Sequence, residues 1–503
     1  MRAIGALILG LWACGGPDGP GPATDSADGG DAGADGSDGS DGADGTDASD
    51  GSDGGADTGP SAVPLLPDAL DCGERASVGS IPPGESADAL LAFSIDTDRF
   101  PDALCNDGST PVFYVRPAET AAGQDRWVLQ LLGGGGCSSP EACARRWCHV
   151  GTNFSMTQMS SRGAPDRTDG VGIFARPAET GVPEPQPFAD ANQVLIKYCS
   201  SDIWRGTVRD VVRTAPHPTT GEEVEFRMHF LGRRILEAVV DTLRQDGVPA
   251  LEVGADGRPL ADLDDATTVV LAGASAGGGG TTYALDWLAG ALREHQPTVE
   301  VLGLVDSTFG PSGEGLDFSS STYCSERGLC DTEAFLSAGR EAQEGLWQAA
   351  PEASCESHHA ATGDGWWCAS DTHVMLHHLA TPVFIRQGLN DGVISETFTE
   401  TGVRVDGADI DMAAFAGLIQ GQYDVLRGDR SDREEGADVP TSGGFAPLCP
   451  KHETLRSTAD TFTATVAVPD SGRTTMFEQW QRWRRAESPA VVYARVPEDS
   501  TCP

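Results

Sequence analysis

Six short runs of β-forming apolar residues, most of them continuous rather than alternating, constrain this chain more than any other feature. They are Pro111–Val115, Trp127–Leu132, Val194–Tyr198, Thr268–Ala272, Val299–Val305 and Pro382–Arg386. A continuous apolar strand has no face to offer to water, so it belongs in a parallel sheet covered on both sides. Stretches of helical period lie between the runs. Phe230–Leu243 keeps its apolar residues on one face, and Tyr283–Leu292 follows the fourth run. Strand and helix alternating in this way predict an α/β domain with a mostly parallel central sheet flanked by helices.

The N-terminus has a different texture. Met1-Arg2 leads into the apolar run Ala3–Trp12, about half of the roughly 20 residues needed to cross a bilayer, so residues 1–14 read as a signal peptide. Leu11-Trp12-Ala13-Cys14 resembles a bacterial lipobox, although Trp12 is bulkier than that motif usually carries. Cys14 is therefore the expected lipid anchor, and Gly15 behind it, in place of an acidic residue, points to the outer membrane. Residues 15–62 hold twelve Asp and no basic residue among Gly, Ala, Ser and Thr. With almost nothing apolar to bury, this stretch is expected to be a disordered tether. Its Asp-Gly units lack the strict register and closing Glu of a calcium loop. Residues 63–503 form the expected catalytic domain.

Cysteine usage also argues for export. Apart from Cys14, twelve cysteines are scattered singly, which reads as a disulfide-stabilised protein from an oxidising compartment. Cys143-(x4)-Cys148 and Cys324-(x5)-Cys330 do not give the paired spacing of a zinc ribbon, and neither metal nor cofactor is expected. The formal net charge of −42 makes nucleic acid an improbable partner. A de-esterified pectin would bind only through local basic contacts such as Arg145 and Arg146.

The chemistry concentrates at Thr268–Gly280. Gly273-Ala274-Ser275-Ala276-Gly277 fits the G-x-S-x-G elbow, in which a buried strand turns sharply into a helix and presents a nucleophilic serine. A serine needs a base and the base an orienting acid, which follow in the order acid, then His. Asp391, just beyond the run ending at Arg386, is the expected acid. Asp306 competes for that role but reads better as a structural or pocket residue. His452, three residues from Cys449, is the expected base. His358, His359, His373, His377 and His378 precede the acid and read as surface or packing residues. The oxyanion donors are expected to be the N–H groups of Ala276, Gly135 and Gly136, with Gly134 shaping the turn of the Gly133–Gly136 loop.

Four features in this order resemble the pectin acetylesterase/Notum family. They are the glycine loop running into Cys137, Tyr198-Cys199-Ser200-Ser201-Asp202, the Gly-Ala-Ser-Ala-Gly-Gly elbow, and Asp391 with Cys449-(x2)-His452. The resemblance spans about residues 70–490. It implies an α/β-hydrolase fold, disulfides, export, no metal, and carboxylester hydrolysis through Ser275, Asp391 and His452. The expected substrate is an O-acylated, above all O-acetylated, polysaccharide or another extracellular ester, acted on by a monomer. Two departures bear on the acyl group. The family loop usually reads Glu-Gly-Gly-Gly-Trp-Cys, whereas Leu132 here replaces the acid and Gly136 the tryptophan. Three other readings remain open: a longer-chain deacylase with the same triad, a non-catalytic glycan-binding lipoprotein, and a serine peptidase.

Overall fold

The computed structural model describes residues 63–503 apart from 74–80, 87, 178–181, 183–185, 245–251, 254–257, 350–351, 406, 429–441 and 469–471. The expected signal peptide, Cys14 anchor and tether lie outside the described residues.

All six apolar runs are strands of one ten-stranded sheet. Its members are β1 (Leu90–Ser94), β2 (Val112–Arg116), β3 (Arg126–Leu131), β4 (Arg167–Thr168), β5 (Asn192–Ile196), β6 (Thr268–Ala274), β7 (Glu300–Asp306), β8 (Val383–Arg386), β9 (Gly443–Ala446) and β10 (Val491–Tyr493). The spatial order is β10-β9-β8-β7-β6-β3-β5-β2-β1-β4. Every pairing from β10 across to β5 is parallel. Strands β2, β1 and β4 add an antiparallel edge.

The continuous apolar runs follow from burial on both faces. Val269 and Leu271 of β6 enter one core, while Val270 and Ala272 enter the other. The first core also takes the buried faces of the helices Gly232–Leu243 and Ala276–Arg293. The second takes Met476, Phe477, Trp480 and Trp483 from the helix Met476–Arg484. Each fully buried Val or Leu contributes about 1.5–3 kcal/mol relative to exposure, so both layers hold the sheet.

Strands β1, β4, β9 and β10 were not among the predicted runs, and for β9 the reason is steric. A Cβ on Gly443 would lie 2.5 Å from Phe384 and 2.6 Å from Trp483, and one on Gly444 would lie 2.7 Å from Tyr423. Aromatic rings borne by other elements fill the space that branched side chains occupy elsewhere.

All twelve cysteines of the domain pair: Cys72–Cys148, Cys105–Cys199, Cys137–Cys143, Cys324–Cys330, Cys355–Cys368 and Cys449–Cys502. No helix among the described residues is long and apolar enough to cross a membrane.

Parallel strands end on the same edge, and in open α/β sheets the crevice at that edge is where ligands sit. Ala274, Asp306, Arg386 and Phe445 stand side by side in register along this rim. The residues expected for the triad and the oxyanion hole follow, in sequence, the ends of the parallel strands β3, β6, β8 and β9.

Candidate active site

Ser275 follows the last residue of β6 and caps the helix Ala276–Arg293 with φ 54° and ψ −125°. A left-handed backbone is costly for a residue with a Cβ and persists only where its surroundings impose it. Here they do. A Cβ on Gly273 would fall 2.0 Å from the Gly277 carbonyl, and one on Gly277 would fall 2.1 Å from the Leu131 carbonyl. The glycines at either side of the serine therefore let β6, its helix and the end of β3 meet in direct backbone contact. The Ser275 N–H donates to the Asp306 carbonyl (3.0 Å), and the Thr308 hydroxyl donates to the Ser275 carbonyl (3.0 Å).

The glycine loop leaves β3 beside this elbow. Gly134 and Gly135 adopt φ of 130° and 66°, conformations that suit glycine alone. Gly136 then pairs with Asp202, with the Cys137 N–H donating to the Ser201 carbonyl (2.9 Å). Trp204 supports the loop from beneath through Nε1 to the Leu132 carbonyl (3.0 Å). Cys137–Cys143 ties its end to the helix Pro140–Cys148. Among the described residues, the N–H groups of Gly135, Gly136 and Ala276 donate to no protein acceptor. They are free donors at the rim, as an oxyanion hole requires.

Asp391 and His452 come together across sixty-one positions of sequence. The imidazole Nδ1 lies 3.0 Å from Asp391 Oδ1 and 2.8 Å from Oδ2. The carboxylate is fully buried and accepts the Val393 and Ile394 N–H groups at 3.0 and 3.2 Å and the Gln387 amide at 3.3 Å. A carboxylate held this way cannot rotate, and it fixes both the tautomer and the plane of the ring. Burial opposes charging the ring. The Asp391 charge and hydrogen bond, with smaller help from Glu453 and Asp306, outweigh burial and hold the His452 pKa above its usual 6.5.

Asp306 is not the acid partner. Its carboxylate accepts the Thr454 N–H (2.6 Å), the Thr454 hydroxyl (3.1 Å) and the Leu455 N–H (3.3 Å), and pairs with the buried Arg386 guanidinium (3.1 Å). It anchors the loop that carries His452, the structural role its sequence position suggested. Cys449–Cys502 fastens the same loop from its other side.

Sequence reasoning passed over Glu453. Its backbone is left-handed (φ 57°), its N–H donates to the Ser307 hydroxyl (3.0 Å), and burial raises its carboxyl pKa. A Cβ on Gly133 would lie 1.8 Å from Glu453 Oε1 and 2.7 Å from the Ala274 carbonyl. The His452 loop thus crosses back over β8 and β7 to reach the glycine loop and the residue before Ser275. The adjacency of His452 and Glu453 was the available signal, visible only once the loop's path is known. Among the described residues no hydrogen bond joins the Ser275 hydroxyl to the His452 ring; Asp391 and His452 meet directly, and Ser275 is linked to the His452 loop through Asp306, whose carbonyl takes the Ser275 N–H and whose carboxylate takes the Thr454 N–H. Of the other histidines, His359, His373, His377 and His378 are buried, and their rings pack against one another.

The family described as Pectinacetylesterase matches residues 91–503. Palmitoleoyl-protein carboxylesterase notum2 of Xenopus laevis is 27% identical over 352 residues, covering 69% of this chain and 59% of the relative. Palmitoleoyl-protein carboxylesterase NOTUM of Homo sapiens is 30% identical over 356 residues, covering 70% and 59%. The chain thus spans about three-fifths of the length of these relatives. The crystal structure of the Wnt deacylase Notum from Drosophila superposes with a TM-score of 0.56 at 22% identity, covering 83% of this chain and 100% of that one, a likeness of fold.

Removing the Asp306 carboxylate strands the Arg386 guanidinium in the interior and frees the His452 loop. Asp306→Ala is expected to lower the unfolding free energy by about 3–5 kcal/mol, as for other broken buried pairs, read from urea denaturation. An unchanged midpoint would contradict the anchoring role.

Proposed function

Because the chain belongs to the pectinacetylesterase family, we propose that it is a serine carboxylic ester hydrolase, exported and lipid-anchored through Cys14, that removes O-acyl groups from an extracellular substrate. The observation that carries this reading is the two-oxygen contact of Asp391 with His452 on the rim where Ser275 occupies its strained elbow. A non-catalytic glycan binder has no use for that combination.

In this reading His452, its Nδ1–H held by Asp391, takes the Ser275 proton on Nε2 as the hydroxyl oxygen attacks the ester carbonyl. The serine–imidazole contact closes with substrate in place, as such contacts commonly tighten only in the reacting complex. Gly135, Gly136 and Ala276 donate to the oxyanion, and the N-terminus of the helix beneath adds its partial positive charge. The imidazolium then gives its proton to the departing alkoxide, leaving an acyl group on Ser275. Water, deprotonated by the same ring, attacks the acyl-enzyme and releases the carboxylic acid. Residues 63–503 carry this chemistry, and residues 15–62 are the tether that holds it away from the membrane.

Acetyl esters of a polysaccharide are the first substrate class, in keeping with the family. A longer acyl chain is the second reading. Glycine at position 136, where the family usually carries tryptophan, leaves more room beside the glycine loop, and the named relatives are palmitoleoyl-protein carboxylesterases. Comparing kcat/KM on acetyl and octanoyl esters separates the two.

Ser275→Ala is expected to lower kcat on p-nitrophenyl acetate by about 10⁵–10⁶-fold, the usual loss of a nucleophile, and to abolish labelling by a fluorophosphonate probe. Unchanged turnover would remove Ser275 from the mechanism.

The base works only when neutral. Since its pKa is raised, kcat/KM should fall with decreasing pH along a limb centred above about 6.5. In Asp391→Asn the main opposition to desolvation is gone, so the limb should move to lower pH while the plateau drops by about 10⁴-fold. A limb at the same pH in both proteins would mean that another group is titrating.

A further inference from the structure

Beyond the esterase site, the structure gathers three imidazoles around a point. His359 closes the short helix Ala353–His359, while His373 and His378 lie in and just after the helix Asp371–His377. All three are buried. His359 Nε2 lies 2.9 Å from His373 Nε2, and His378 Nε2 lies 3.2 Å from the same atom.

These contacts cannot all be full two-centre hydrogen bonds: at best one Nε2–H of His373 is shared weakly between the other two rings. A ring nitrogen carries either a proton or a lone pair in the ring plane. The Asp364 carboxylate, 2.9 Å from His359 Nδ1, draws the proton to that nitrogen and leaves Nε2 with its lone pair. If His373 Nε2 donates to it, His373 has no lone pair left to accept from His378. If His373 accepts from His378, two lone pairs face each other at 2.9 Å. One cation accepting all three lone pairs removes the conflict.

The spacing is close to that of metal ligands. Tetrahedral zinc with imidazole bonds of about 2.0–2.1 Å places neighbouring nitrogens about 3.3–3.4 Å apart. The His378–His373 separation of 3.2 Å lies close to this spacing, and the His359–His373 separation of 2.9 Å is a few tenths of an ångström shorter. A ligand histidine also commonly gives its other N–H to a carboxylate, as His359 does to Asp364. Imidazole ligands suit zinc and its late first-row neighbours and disfavour magnesium or calcium.

We propose that His359, His373 and His378 form a binding site for a zinc-class divalent ion. Cys355 Sγ lies within 4.8 Å of the three nitrogens, but its bond to Cys368 leaves no thiolate, so the fourth position falls to water. The disulfide staples the helix Ala353–His359 to the turn Gly365–Ala369 and so pre-positions the first ligand relative to the other two. The site is structural. It fixes this insertion against the elbow helix, where the Tyr283 hydroxyl donates to the Cys368 carbonyl (2.9 Å) and Asp371 packs on Gly279. The sequence expectation of no metal rested on cysteine spacing, which does not register a site made of imidazoles.

Mass spectrometry of the intact, full-length protein, saturated with zinc and then desalted, is expected to find one zinc per chain. The variant carrying His359→Asn, His373→Asn and His378→Asn should keep less than one-tenth of that, although its acidic tether is intact. X-ray absorption at the zinc edge of the wild-type protein needs no variant to fold, and should show three imidazoles at about 2.0 Å. Failure of the wild-type protein to retain zinc, equal zinc in the variant, or a first shell of oxygen alone would each overturn the assignment. Esterase activity enters none of these readouts.

Discussion

The carboxyl and carbonyl groups of Asp306 are the constraint on which the site depends. Its carbonyl oxygen takes the N–H of Ser275, and its carboxylate takes the N–H groups of Thr454 and Leu455. The serine and the histidine loop, far apart in sequence, are thus referred to one rigid strand end. Arg386, at the end of β8, completes the anchor and ties in the strand that leads to Asp391. Alignment therefore comes from the sheet. The parallel register that sets Ala274, Asp306, Arg386 and Phe445 in a row also sets the four loops that follow them.

The strain at Ser275 has the same origin. A serine with φ 54° would relax in an isolated turn. Relaxation is blocked here because the first turn of the helix leaves no room to shift: Gly277 meets the β3 carbonyl, Gly278 meets Thr308, Gly279 meets Ile203 and Gly280 meets Trp204. Four successive glycines in a helix each forgo about 1 kcal/mol of propensity relative to alanine. What they gain is backbone approach close enough to hold Ser275 and the N–H of Ala276 in place.

The fold was legible because burial on both sides of a parallel strand writes itself as an uninterrupted apolar run. All six such runs are strands, and the edge-proximal β9 escaped because aromatic side chains of its neighbours supply its packing. Ser275 was legible from its local sequence alone, since the elbow needs small residues at fixed positions. Asp391 and His452 could be placed by order and by their position beyond strand ends, and the structure joins them. The role of Glu453 was not legible, because it depends on where a loop travels after leaving β9. The histidines before the acid were read as surface or packing residues, and four of them are buried, but their mutual contact was not legible for a related reason. Read in order along the chain, these rings are merely the wrong side of the acid, and only the packing of two short helices brings His359 against His373 and His378.

The electrostatics around His452 follow from how the nearby carboxyl groups are held. Three lie near the ring. Asp391 is hydrogen-bonded to the imidazole, to two backbone N–H groups and to an amide, and Asp306 is neutralised by Arg386 and held by the N–H groups of the histidine loop. Glu453 is buried, and its pKa is pushed upward accordingly. Directed negative charge therefore reaches the ring mainly along the Asp391 axis, at Nδ1, which leaves Nε2 as the position for proton exchange. In the proposed mechanism, an imidazolium formed by accepting the serine proton is stabilised by a carboxylate already hydrogen-bonded to the ring. Spreading the same charge over three loosely held carboxylates would raise the pKa as well, but would not orient the ring.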